Sequence, residues 1–80
     1  MRVIHEMRLV RRCPVDDAFD FYDLRVETSR LLKVEDILAA VQELPEKAFQ
    51  ENITTTLAAK LGCIVTTIGH HSGVKTTCTA

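Results

Sequence analysis

The chain has 80 residues, 46% of them hydrophobic, with no Trp and one Tyr. A domain this small buries only about 60% of the surface its unfolded chain exposes, so its own core is thin and oligomerisation is the expected remedy. Ten basic residues against eleven acidic ones leave a net charge of -1, which excludes a whole-chain field able to recruit nucleic acid or an anionic membrane.

Residues 2–12 interleave Val, Ile, Leu and Met with Arg, His and Glu, an imperfect period of two that predicts a strand. The start of the chain carries no uninterrupted apolar stretch of the kind a signal peptide or membrane span requires, and a cytoplasmic protein is expected. Arg8, Arg11 and Arg12 form the only basic cluster. So short a run reads as a solvated strand face rather than a phosphate track.

Cys13-Pro14-Val15-Asp16-Asp17 interrupts the strand, because Pro cannot donate to a ladder and paired Asp residues favour turns. A connection over residues 14–19 is expected. Residues 20–28 alternate, with Tyr22, Leu24 and Val26 on one face and Phe21, Asp23, Arg25 and Glu27 on the other. That pattern predicts a half-buried strand, hairpin-paired with the first.

From Val34 the period changes. Val34, Ile37, Leu38, Val41 and Leu44 follow the spacing of one helix face, and Pro45 stops it. A second helix is expected from about residue 47 to Leu61, with Phe49, Ile53, Leu57 and Leu61 as its apolar stripe and Gly62 as its C-terminal cap. Residues 63–69 and 73–79 are β-branched runs separated by His70, His71 and Ser72, which predicts a hairpin with the two His at its tip. The order is therefore ββααββ in one α+β domain over residues 1–80. Two hairpins flanking a helix pair suggest a four-stranded antiparallel sheet with both helices on one face.

Three Cys cannot all pair within one chain, and free thiols are the default in a reducing compartment. A free Cys is most often a small buried apolar group. Cys13, at the junction of a strand and a Pro-containing turn, could instead present its thiol at a cleft. A nucleophilic thiol needs a base or a lowered pKa, since only the thiolate attacks. Asp20 lies seven positions on, across the turn, and is either that proton partner or a strand-entry cap. Glu51 falls in the first turn of the second helix, where the dipole favours a carboxylate and where it could also take two N–H donors from a guanidine-like edge. His70, His71, Cys63 and Cys78 show no C-x-x-C or H-x-x-x-H spacing, so no metal site is expected, and Cys63 and Cys78 read as core thiols.

Cys13-Pro14-Val15 followed by Asp20 resembles the CPxxxxxD signature of the nitrile reductase that acts on 7-cyano-7-deazaguanine, and of its tRNA-modifying amidinotransferase relative. The ββααββ order resembles the tunnelling fold, which GTP cyclohydrolase and the pterin synthases share. Phe49-Gln50-Glu51-Asn52 is similar to the FHE motif whose Glu grips the bound base, with Gln50 standing in the place of its His. His71-Ser72-Gly73-Val74 is similar to the closing hairpin, so the likeness runs from about residue 8 to residue 79.

The resemblance implies that Cys13 attacks a nitrile to give a thioimide, Asp20 shuttles the proton, and Phe49, Gln50 and Glu51 line the purine or deazapurine site. His70 and His71 would contribute from the loop. It also implies a homo-oligomer with sites between subunits, and tRNA as a carrier of the substrate. The reductase's nicotinamide motif is answered only by Glu27, Arg30 and Lys33, so NADPH is implied by those three residues alone. Two other outcomes stay open: cyclohydrolase-like purine or pterin chemistry with a metal at Cys13 and the histidines, and a non-catalytic module that binds a heterocycle.

Overall fold

Alternation along the second strand sets the architecture. A computed structural model describes all of Met1–Ala80 and places β1 at Val3–Arg12, β2 at Phe19–Thr28, α1 at Val34–Gln42, α2 at Gln50–Leu61, β3 at Ile64–His71 and β4 at Val74–Thr79. The strands form one antiparallel sheet in the order β1-β2-β3-β4. Tyr22, Leu24 and Val26 point to one side and are buried there with Leu9 of β1 and Val65 of β3. Ile37, Ala40 and Val41 of α1 and Ile53, Leu57 and Leu61 of α2 complete that same core cluster, so both helices cover one face. No helix is long and apolar enough to cross a membrane.

The opposite face of the sheet has no cover. Phe21 and Ile64 are exposed on it, between surface ion pairs such as Arg8 with Asp23 at 3.4 Å and Arg2 with Glu27 at 2.8 Å. The three arginines at the end of β1 do not form one patch, because alternation sends Arg11 to the helix side. Its guanidinium donates to the carbonyl of Val41 and so satisfies the C-terminal end of α1, which has no basic residue of its own in its last turn.

Several boundaries differ from expectation for local reasons. The second helix begins at Gln50 rather than near residue 47, because the preceding segment pairs with the end of β1: Arg12 N–H donates to Glu46 O at 2.9 Å and Ala48 N–H to Arg12 O at 3.2 Å. The run Thr54-Thr55-Thr56 does not break α2. The Thr54 and Thr55 hydroxyls donate back to the carbonyls of Gln50 (2.8 Å) and Glu51 (3.0 Å) one turn earlier. Gly62, at φ 62°, caps the helix in the left-handed conformation.

The apolar face of α1 is wider than its cover, and Val34 and Leu38 stay half exposed. Cys63 and Cys78 are half-buried beside the core rather than within it. His70 and His71 belong to β3 and not to a hairpin tip, since His71 pairs with Val74 and the turn is Ser72–Gly73 alone. Both turn residues have positive φ, 51° and 80°, the two-residue geometry that suits the right-handed twist of the flanking strands.

Candidate active site at the turn of the first hairpin

The β1–β2 hairpin ends in a turn that holds Cys13 in place through its backbone. Cys13 N–H donates to Ala18 O at 2.8 Å and Cys13 O accepts from Asp17 N–H at 2.9 Å. Asp16 Oδ1 accepts from Ala18 N–H at 3.0 Å, an Asx turn, and Asp17 adopts φ 63°, which a short polar side chain tolerates. The Ala18 N–H, and after it the Cys13 thiol, hold the Asp16 carboxyl below the usual carboxylate range. Asp17 reaches outward to Lys47 at 3.1 Å and to Arg12 at 2.9 Å. Lys47, followed by Arg12, lowers its pKa. The Cys13 turn is thereby tied to the segment that leads into α2.

Asp20 stands on the helix side of β2, beside Tyr22 of the same face, and its side chain is only 12% exposed. Its two oxygens have different neighbours. Oδ2 lies 3.4 Å from the Tyr22 hydroxyl and Oδ1 lies 3.4 Å from Nδ1 of His71. The rings of Tyr22 and His71 meet at a tilt of 50° with centroids 6.0 Å apart.

Tyr22 joins the separate parts of the site. Burial pushes its phenol well above the usual range, and the charges of Asp20, Cys13 and Glu51 add to the rise. The hydroxyl therefore stays protonated at neutral pH, a donor and not a base. Gly69 makes room for the ring: a Cβ there would come within 2.6 Å of Tyr22 Cδ1 and Cε1.

The three residues of the second motif divide. Glu51 is exposed in the first turn of α2, on the N-terminal side where the helix dipole favours a negative group. Gln50 is buried, and its Nε2 contacts Thr76 O at 2.9 Å and both Thr67 O and Thr67 Oγ1 at 3.2 Å, which ties α2 to β3 and β4. Its buried Oε1 has no partner. Phe49 is half exposed and lines, with Pro14, Leu44 and Asn52, a cleft of about 290 Å³ between the Cys13 turn and α2.

Alternation separates the two histidines, with His71 on the side of Asp20 and His70 exposed on the uncovered face. Cys13 and the two His therefore do not converge as a ligand set. Glu27 and Arg30 line one cleft with Arg2 and Cys63, where Glu27 pairs with Arg2 and Arg25 and Arg30 donates to Leu61 O, while Lys33 precedes α1. They lie at the far end of the sheet from Cys13.

Sequence reasoning brought out Cys13, Asp20, Glu51 and His71 but missed Tyr22 and Asp16. Tyr22 was legible only as a core residue. Its position two residues after Asp20 on the same strand face was the available signal.

The fold resembles that of a solved protein. The crystal structure of the archaeosine synthase QueF-Like in the apo form superposes with a TM-score of 0.82, over 99% of this chain and 90% of that one, at 20% sequence identity. The chain has the tunnelling fold. No protein-family model matches the sequence, and no curated protein matches it, so the likeness to tunnelling-fold proteins is carried by structure.

Proposed function

We propose that this tunnelling-fold chain is an enzyme whose Cys13 adds to the nitrile of 7-cyano-7-deazaguanine, or of a closely related heteroaromatic nitrile, to form a thioimide. The observation that carries the reading is the placement of Asp20. This carboxylate is mostly shielded from solvent, on the same end of the sheet as Cys13, with each oxygen beside a polar group. In the addition the S–C bond forms, one π bond of the nitrile breaks, and the thiol proton ends on the nitrile nitrogen. Asp20 is the group that moves that proton.

Glu51, whose carboxylate has no partner within the chain, grips the two N–H groups of the base edge. Phe49 and Gln50 complete the wall beside it. Amidination follows, in which ammonia adds to the thioimide carbon, the C–S bond breaks and the thiol recovers its proton. The position of Glu27, Arg30 and Lys33 at the opposite end of the sheet from Cys13 supports this course over reduction by NADPH. Likeness in fold to an archaeosine synthase supports a modified-nucleobase substrate, and tRNA is the proposed carrier where the nitrile is polymer-bound.

The working unit is a homo-oligomer. Phe21 and Ile64 on the uncovered sheet face and the open edges of β1 and β4 support assembly from several copies. Sedimentation at micromolar concentration is expected to give a multimer, and a monomer would count against both the assembly and the site between subunits.

Intact-protein mass spectrometry with 7-cyano-7-deazaguanine is expected to show wild type gaining the mass of one nitrile and Cys13→Ala gaining none. No adduct anywhere between about pH 6 and about pH 9, a span that brackets ordinary thiol ionisation, would sink the reading. Binding of guanine-like ligands unchanged by Cys13→Ala, without turnover, would instead favour a non-catalytic module built around Glu51.

A further inference from the structure

A carboxylate is a poor match for the proton it is asked to take. An imidazole is a stronger base than a carboxylate and a better resting place for the proton of a thiol. His71 Nδ1 is 3.4 Å from Asp20 Oδ1. Nδ1 is the ring nitrogen that faces Asp20, so it is the one through which His71 exchanges a proton with that carboxylate.

Three other neighbours, Tyr22, Gln50 and His70, cannot serve. Tyr22 keeps its proton and donates toward the second oxygen of Asp20. Gln50 is an amide whose nitrogen is held by β3 and β4. His70 faces away on the other side of the sheet.

We infer that His71 is a positioning residue that acts through Asp20: the Asp20–His71 pair holds the proton that leaves Cys13 Sγ, as imidazolium against carboxylate, until the nitrile nitrogen takes it. No co-reactant is needed, because the proton lost by sulfur is the one gained by nitrogen. The partly exposed ring also connects a shielded carboxylate to water, since the His71 side chain is 38% exposed against 12% for Asp20. The inference rests on the proposed addition of Cys13 to a nitrile.

The titratable groups around His71 come from three elements. The β1–β2 turn supplies Cys13 and Asp16, whose carboxylate is close enough to feel the charge of His71. Strand β2 supplies Asp20 and Tyr22, and α2 brings Glu51 toward the Tyr22 hydroxyl. On its own hairpin, Val74 of β4 pairs with it and does not titrate.

The test is the pH dependence of the rate of Cys13 adduct formation with 7-cyano-7-deazaguanine in wild type, His71→Gln, His71→Ala and the control His70→Gln. Wild type and His70→Gln are expected to share a rising limb on the acid side of their profiles. His71→Gln is expected to lose that limb and to run about a hundredfold slower at neutral pH, yet to approach wild type in alkaline solution, where a base is no longer needed. Free imidazole is expected to restore part of the His71→Ala rate.

Matching rates and profiles in wild type and both His71 variants would overturn the inference while leaving Cys13 addition intact. A uniform loss at every pH without imidazole rescue would overturn it too, by marking His71 as structural. Absence of any adduct in wild type would overturn the addition and the inference together. If His71→Ala does not fold, His71→Gln alone carries the test.

Discussion

The two ends of the sheet each hold a half-buried thiol among charged side chains, and they differ in how those side chains are occupied. At the far end, Cys63 Sγ donates to Leu61 O at 3.2 Å, and the Arg30 guanidinium donates to that same carbonyl while lying 3.8 Å from the sulfur. The cleft beside it, about 370 Å³ and lined also by Arg2 and Glu27, is walled by groups already paired with one another. At the Cys13 end the exposed Glu51 carboxylate has no partner, Asp20 has only two contacts, each at 3.4 Å, and the buried Gln50 Oε1 has none. A cysteine with charged company is thus not by itself a reactive site. What distinguishes the first end is polar capacity that the fold does not use up.

The sharpest break in the comparison is expected from the cysteines themselves. Cys13→Ala should abolish the nitrile adduct, whereas Cys63→Ala should form it at the wild-type rate; intact mass measured on both variants decides this, and an adduct on Cys63 would reverse the assignment.

Next is the packing that holds Tyr22 over the first end. Gly69→Ala places a methyl group 2.6 Å from two ring carbons and is expected to cost about 1–3 kcal/mol by overpacking, read as a lower urea midpoint. An unchanged midpoint would show that the ring is not confined there.

Alkaline titration sharpens the same end, because Tyr22 is the only Tyr and there is no Trp. Its raised pKa means that folded protein keeps the phenol protonated where an unfolded chain loses it. The Tyr22 contribution to stability is complete below about pH 10 and declines as pH climbs toward the folded value. Absorbance at the tyrosinate band should therefore stay flat above about pH 10 until the chain unfolds, and a smooth rise near about pH 10 in folded protein would refute the buried, carboxylate-facing placement.

The smallest effect belongs to the far end. Arg30→Ala removes one donor from the C-terminal carbonyls of α2 and is expected to cost about 0.5–1 kcal/mol without changing the adduct rate.

Much of this was legible in the sequence, and the parts that were not share a cause. Period-two alternation in residues 20–28 and helical spacing after Val34 gave the element order, since burial of one face dictates both patterns. The true start of α2 was hidden because it depends on residues 46–48 pairing with Arg12, a long-range hydrogen-bonding choice without local signature. The division of His70 from His71 depended on where the turn falls, and Ser72–Gly73 shortens the hairpin loop to two residues. Cys13, Asp20 and Glu51 could be named from motif spacing. The parts played by Tyr22 and Gly69 needed the register that sets them opposite each other.

The tether between Asp17 and Lys47 has a consequence for how a ligand would be sensed. Asp17 belongs to the turn that carries Cys13, and Lys47 belongs to the strap that delivers Glu51. Under the proposed function, a heterocycle held by Glu51 would also draw on the turn through this exposed ion pair, linking recognition of the base to the aim of the sulfur.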